Sequence, residues 1–135
     1  MRRLSVLPLL TIVSACSQGA PEPAPPAGPA AVAVEVVGDP TAIPARFRGE
    51  WNADLAACGT SRNETRLMLG AREVAFHESS GAVRNVAQPA PDRLAATFTL
   101  TGEGESWEAR HDFSLSSDGA TLTDMAGGLV RHRCP

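Results

Sequence analysis

The chain has 135 residues, 43% hydrophobic and 20% charged, with a formal net charge of −3, and this length fits a single folded domain. It contains no lysine, which excludes Schiff-base catalysis, the phosphate-loop lysine and the Ser-x-x-Lys nucleophile. A mildly acidic chain without a basic stripe also lacks the electrostatic footprint of a nucleic-acid-binding protein.

The first fifteen residues have the composition of an export signal. Arg2 and Arg3 precede an apolar stretch from Leu4 to Val13. This stretch is too short for a permanent membrane span, but it has the length of a signal-peptide core. Residues 1–15 are therefore predicted to be a signal peptide and not part of the fold.

The end of the apolar stretch, Val13-Ser14-Ala15-Cys16, resembles the lipobox of bacterial lipoproteins. The resemblance implies that the Cys16 thiol receives a diacylglycerol, that cleavage occurs before this residue, and that the new amino group is acylated. Several acyl chains would hold the protein firmly on a membrane surface. Ser17 implies delivery to the outer membrane of a Gram-negative cell, with the domain facing the periplasm. The alternative is an ordinary cleavable signal in which Cys16 is incidental.

Residues 16–43 are predicted to be the lipidated cysteine and a disordered tether. The segment from 17 to 43 contains six prolines and seven alanines. Such a composition favours extended polyproline II and cannot bury a core. At about 3.1 Å per residue the tether spans up to roughly 80 Å. Val32 to Val37 is either part of this spacer or a strand docked on the domain.

Residues 44–135 are predicted to form an all-β domain: a small antiparallel up-and-down meander, or a barrel of about eight strands. Short breakers rich in Gly, Pro, Ser and Asp separate partly alternating apolar runs, and loops this short favour antiparallel neighbours. The predicted strands are Phe47–Trp51, Thr65–Leu69, Glu73–His77, Ala82–Ala87, Leu94–Thr101, Ser106–Leu115, Ala120–Asp124 and Leu129–Cys134. Asn52–Cys58 is predicted to include one helical turn.

The clearest alternation of apolar and polar residues runs through Leu94–Thr101 and Ser106–Leu115, which predicts two half-buried strands joined by a Gly-x-Gly turn. His111 shares its parity with Trp107 and Phe113, so we expect it in or beside the core with a hydrogen-bond partner. His132 shares its parity with Val130 and Cys134 in the last strand, so it too is expected to point inward, the alternative being that this strand is out of register.

Cys58 and Cys134 are the only possible pair once Cys16 is lipidated, and an oxidising compartment predicts a disulfide between them. Two buried thiols, or a metal pair with histidine, are the alternatives. Neither cysteine has a Cys-x-x-Cys spacing.

No motif in the domain indicates catalysis or a cofactor. The histidines lack the i, i+4 or His-x-His spacing of a metal site, so no metal is expected. No Gly-x-Ser-x-Gly elbow is present, and the prediction is that the protein is not an enzyme. The closest carboxylates are Glu103, Glu105 and Glu108, which we interpret as a solvated hairpin tip that limits aggregation.

Trp51 and Trp107 are each either a core anchor or a platform for a ligand, and core is the expectation. Gly49-Glu50-Trp51, with Arg131 and Arg133 near the end, resembles a reduced calycin, the barrel superfamily that contains the lipocalins. The resemblance implies a barrel in which a late arginine packs across the tryptophan ring.

A second similarity, at Ser80-Gly81-Ala82-Val83, is to lipid-anchored inhibitors of c-type lysozyme. Arg84 stands where that signature has tyrosine, so no inhibitory residues are carried over.

We therefore expect a non-catalytic binding or interaction module, held on a membrane by its N-terminal lipid. The expected partner is an envelope protein or a small apolar ligand. A barrel for small apolar ligands predicts a largely apolar internal cavity. An interaction module predicts a filled core and an exposed apolar or aromatic patch. A periplasmic inhibitor of a lysozyme-like enzyme is the other alternative.

Overall fold

A computed structural model of the chain describes residues 38–135. The predicted signal peptide, Cys16 and the segment Val32–Val37 lie outside the described residues. The described part is all-β, and its eight antiparallel strands form a closed up-and-down barrel, which confirms the predicted fold class. The strands are β1 (Gly49–Asn52), β2 (Leu67–Leu69), β3 (Glu73–Phe76), β4 (Ser80–Ala90), β5 (Arg93–Gly102), β6 (Glu105–Leu115), β7 (Thr121–Asp124) and β8 (Leu129–Arg133).

Each strand pairs with the next, and β1 pairs with β8 to close the barrel. At this seam Trp51 lies opposite Arg133, and Asn52 lies opposite His132. Closure leaves no full-length open edge, which is the usual solution for a small antiparallel sheet. A 3₁₀ helix, Ala45–Phe47, precedes β1, and a second one, Leu55–Ala57, provides the helical turn predicted after the first strand. Within residues 38–135, no helix is long and apolar enough to cross a membrane.

Up-and-down order places the connections alternately at two ends of the barrel. We call one the helix end, because the first 3₁₀ helix lies there together with the turns 70–72, 91–92 and 116–120. We call the other the hairpin end, where the β5–β6 turn, Glu103–Gly104, and the β3–β4 turn, His77–Ser79, are found. Glu103 and Gly104 both have positive φ, 50° and 84°, as a two-residue hairpin turn requires.

The interior of the barrel is filled by side chains from every strand. The predicted alternation of β5 is observed: Leu94, Ala96, Phe98 and Leu100 are buried in the core. The largest fully buried side chains are Trp51, Phe47, Phe98, Phe113, Ile43, Leu67, Leu69, Leu94 and Leu122. An eight-stranded barrel has an interior just wide enough for side chains of this size to fill.

The core extends further toward the N-terminus than the sequence indicated. Ile43, which we assigned to the end of the tether, is fully buried, and its N–H donates to the carbonyl of Ala71. The carbonyl of Pro40 accepts from the N–H of Val86 on β4. Residues 40–43 therefore run along the barrel wall, because β3 is too short to cover this part of β4.

The predicted disulfide is present between Cys58 and Cys134, whose Cα atoms lie 5.7 Å apart. It fastens the β1–β2 loop to the end of β8. The N–H of Cys134 donates to the carbonyl of Glu50, and the N–H of Gly59 donates to the side-chain Oε1 of Glu50. The covalent bond thus lies beside the seam where β1 and β8 close the barrel.

Candidate functional site

The tryptophan of β1 and an arginine of β8 hold the helix end together. Trp51 is fully buried, and its Nε1–H donates to the carbonyl of Phe47 at 2.9 Å. The guanidinium carbon of Arg133 lies 4.1 Å from the centroid of the Trp51 ring. Arg133 also donates from Nε to the carbonyl of Gly119 at 2.9 Å and from Nη1 to that of Arg48 at 2.7 Å. Its Nη2 donates to the carbonyl of Arg46. One side chain therefore joins the first 3₁₀ helix, β1 and the β6–β7 turn.

Of the two arginines in the calycin resemblance, Arg133 makes the contact with the ring. It is the direct cross-strand partner of Trp51, whereas Arg131 lies two residues away and opposite Leu122. Side chains directly opposite on paired strands approach most closely. From the sequence, both arginines were candidates for the ring contact, because they lie two residues apart and so face the same side of β8. Only the register between β1 and β8 determines which of them lies opposite Trp51.

Replacing Arg133 with Gln is expected to lower the free energy of unfolding by about 2 kcal/mol, since it removes a cation–ring contact and charge-assisted hydrogen bonds to backbone carbonyls. Urea titration followed by circular dichroism measures the change. Arg110→Gln is the control: its ion pair with Asp112 is exposed, and its loss should cost less than about 0.5 kcal/mol. Equal effects of the two substitutions would contradict this assignment.

Arg131 occupies the barrel interior and not the ring face. It is 5% exposed, and its Nε donates to the carbonyl of Thr65 at 2.7 Å. Burial lowers the pKa of its guanidinium, an effect that the nearby Asp124 carboxylate opposes. Among the described residues its Nη1 has no hydrogen-bond partner, and neither has the Nδ2 of buried Asn52. Arg131 is thus a buried charge whose hydrogen-bond donors are only partly satisfied by the described residues.

His111 points inward beside the core, as its parity predicted. Its Nδ1 lies 3.0 Å from Oδ2 of Asp124. The imidazole is stacked on Phe113, with ring centroids 5.7 Å apart, and lies 5.0 Å from the centroid of Phe76. In the part of the chain that the structure describes, no serine hydroxyl bonds to His111.

The other histidines lie on the surface. His77 is exposed, and its Nδ1 donates to the carbonyl of Ser61 at 3.1 Å. His132 is also exposed, so the prediction that it points inward is wrong: Arg131 and Arg133 occupy the inner positions of β8. Between residues 38 and 135, no group of three His, Cys, Asp or Glu side chains comes together as a metal site.

Both tryptophans were expected in the core. Trp51 is buried there, but Trp107 is not a core residue. Its side chain is 42% exposed. β7 pairs only with Phe113–Leu115 of β6, so the N-terminal part of β6 extends beyond the end of β7. Trp107 lies on this extension. Its side chain is on the inner side of the sheet, as its parity predicts, but no neighbouring strand covers the ring. One sequence feature could have indicated this exposure: the predicted strand Ser106–Leu115 is about twice as long as the next predicted strand, Ala120–Asp124, and so cannot be paired along its whole length.

The exposed ring lines a cleft of about 320 Å³ at the hairpin end. The other lining residues are Glu78, Ser79, Gly102, Glu103 and Glu105. A Cβ on Gly102 would lie 2.7 Å from the carbonyl of Glu78 and 3.3 Å from the Trp107 ring, so glycine permits the close approach of turn and ring. Within the described residues none of the cleft's carboxylates forms an ion pair. We call these residues the Trp107 cleft.

Comparison with known proteins provides no family for the chain. Neither a family model, nor a curated protein, nor a solved structure matches it.

Proposed function

We propose that the chain is an exported lipoprotein, anchored in the outer membrane through Cys16, that presents its barrel to the periplasm on a Pro/Ala-rich tether. There it acts by binding a partner protein and not by catalysis. The binding face is the hairpin end. Kinship with the calycins is part of the proposal, and the packing of Arg133 across the Trp51 ring supports it.

One contrast carries the proposal of binding at the surface. The barrel interior holds large apolar side chains together with the buried Arg131, whereas an aromatic side chain is half-exposed in a cleft at one end. A barrel for apolar ligands would need internal space of at least about 300 Å³. Tryptophan is enriched where proteins bind one another, because its ring supplies a large contact area at low entropic cost. The filled interior and exposed rim favour an interaction module.

Lipid anchoring is tested by growing cells with a radioactive fatty acid. The wild-type protein is expected to carry the label and to remain with the membrane fraction, because acyl chains supply the anchor. Cys16→Ala is expected to carry none. Gln18→Ala provides the matched control, since it changes a nearby residue, leaves all three cysteines in place and should keep the label. Equal labelling of wild type and Cys16→Ala contradicts the anchoring proposal.

The binding face is tested by placing a photoreactive aromatic amino acid at position 107, at the hairpin end, or at exposed position 120, at the helix end. Irradiation of intact cells should give a discrete adduct from position 107 and none from position 120. Adducts of the same masses and yields from both positions, or none from either, would overturn the proposal. Covalent capture of a small apolar molecule at position 107 would instead favour the ligand-binding alternative.

A further inference from the structure

We propose that the hairpin end binds an extended, cationic segment of the partner, which pairs with the free edge of β6 and places an arginine or lysine side chain against Trp107. This inference rests on the proposed binding function and names the chemistry of its partner.

The first observation is a strand edge inside an otherwise closed barrel. β6 runs from Glu105 to Leu115, but its registered pairs with β7 are confined to Phe113–Leu115. The last backbone contact on this side is the N–H of Met125, which donates to the carbonyl of Asp112 at 2.8 Å. The first seven residues of β6, 105–111, therefore present an edge that no other described strand covers. Such an edge is a template for another extended chain.

The directions of the backbone groups follow from two hydrogen bonds. The carbonyl of Asp112 faces the β7 side, whereas the N–H of Leu115 donates toward β5, to the carbonyl of Asp92. Backbone groups alternate in direction along an antiparallel strand. Ser106, Glu108 and Arg110 therefore direct their N–H and C=O groups away from β5, toward the free edge.

The second observation is the exposed ring on the strand that carries this edge. Trp107 lies between Ser106 and Glu108, with its side chain on the inner face of the barrel wall. An added strand alternates its side chains between the two faces of the sheet. Every second residue of the added segment would thus lie on the same face as the indole ring. The far end of the ring leans toward β5, 3.3 Å from a Cβ placed on Gly102, so only a long side chain such as arginine or lysine would extend across the ring into the cleft.

Charge complementarity selects the occupant. Glu78, Glu103 and Glu105 line the cleft with the ring, and no described arginine or histidine forms an ion pair with any of them. A guanidinium or ammonium group in this cleft would meet both the ring face and uncompensated carboxylates. A second copy of this chain has a net charge of −3, which opposes its approach to these carboxylates, so we assign the cleft to a different protein with a basic segment.

The test uses the full-length protein purified from membranes and an eight-residue Thr/Val peptide that carries two arginines. Binding is measured by the change in tryptophan fluorescence. The matched peptide replaces each arginine with citrulline, which keeps the shape of arginine without its charge. We expect the arginine peptide to bind at least about tenfold more tightly, a difference of about 1.4 kcal/mol. This preference should weaken with added salt.

Two pairs of variants separate the contributions of charge and strand pairing. Glu103→Gln with Glu105→Gln should weaken the binding of the arginine peptide about tenfold, whereas Glu64→Gln with Glu73→Gln removes two exposed charges elsewhere and should leave binding unchanged.

Glu108→Pro tests strand pairing. It removes an edge N–H without removing a hydrogen bond to β5, and proline is tolerated on such edges. It should abolish binding, whereas Glu108→Gln, which keeps the N–H, should retain it.

Equal affinities for the arginine and citrulline peptides would overturn the assignment of a cation. Equal binding by Glu108→Pro and Glu108→Gln would overturn strand pairing. A dimer of the purified protein that Glu108→Pro converts to a monomer would assign the edge to a second copy and overturn the proposal. If these results came with an adduct confined to position 107 in cells, the binding function would stand and only its partner chemistry would fail.

Discussion

Removal of the disulfide by Cys58→Ser with Cys134→Ser is expected to lower the free energy of unfolding by roughly 4 kcal/mol. The bond joins residues that are 76 positions apart, so it restricts nearly the whole unfolded domain. In the loop-entropy model, closing a loop of this length contributes about 4 to 5 kcal/mol. The total stability of such a domain is about 5 to 10 kcal/mol, so the variant should be close to unfolded at 37 °C.

Guanidinium titration of the oxidised wild type, the reduced wild type and the double variant measures this loss. The reduced wild type and the double variant should unfold at the same midpoint, well below that of the oxidised protein. The single variant Cys16→Ser is the control and should unfold like the oxidised wild type, since that cysteine is not part of the bond. A loss of less than about 1 kcal/mol on reduction would show that the β1–β8 seam holds without its covalent fastening.

Gly81→Ala is expected to lower the free energy of unfolding by about 3 kcal/mol or more. A Cβ at Gly81 would lie 1.8 Å from the carbonyl oxygen of Thr99 and 2.9 Å from the Cα of Leu100. These are backbone atoms of the paired strand, so relief requires that β4 and β5 move apart. Overpacking by one methyl group costs about 1 to 3 kcal/mol even where side chains can move.

Gly127→Ala is the matched control, because a Cβ at Gly127 meets nothing within 4 Å and the residue lies in the exposed β7–β8 turn. Its stability should stay within about 0.5 kcal/mol of the wild type. Thermal unfolding followed by circular dichroism compares the two variants. If Gly81→Ala unfolded together with Gly127→Ala, the close approach of β4 and β5 at Gly81 would be contradicted.

The arrangement of strands was predictable because it depends on local patterns. Period-two alternation identified the β5–β6 hairpin, and the short Gly-rich turns fixed its antiparallel order. The disulfide followed from the number of cysteines and their expected compartment. The hairpin was predictable because its residues are near one another in the sequence. The disulfide was predictable because, once Cys16 is set aside, each of its cysteines has only one possible partner.

The features that the sequence missed depend on register and on strand length. Whether Arg131 or Arg133 meets Trp51 depends on how β8 pairs with β1 across the seam, and no local signal encodes that register. Trp107 has the parity of a core residue, but its burial depends on where β7 ends. Ile43 joins the core because a short β3 leaves part of β4 uncovered, which is likewise a non-local property.

The same reasoning explains why the candidate site was not predicted. The sequence placed Glu103 and Glu105 at a solvated tip and Trp107 in the core, and it assigned no common role to them. Folding brings them together with Glu78 from the β3–β4 turn. The tip can still limit aggregation, since acidic side chains on a free edge repel like edges. That role and selective binding of a basic segment are compatible.

The most direct test of a filled interior with binding at the rim compares two variants that each retain one tryptophan. With Trp51→Phe, the fluorescence of Trp107 should be quenched readily by acrylamide; with Trp107→Phe, the fluorescence of Trp51 should be nearly unaffected, because Trp51 is fully buried. A long-chain alcohol should leave the Trp51 emission unchanged. Equal quenching of both tryptophans, or saturable quenching of Trp51 by the alcohol at one molecule per chain, would contradict the account and indicate an accessible interior.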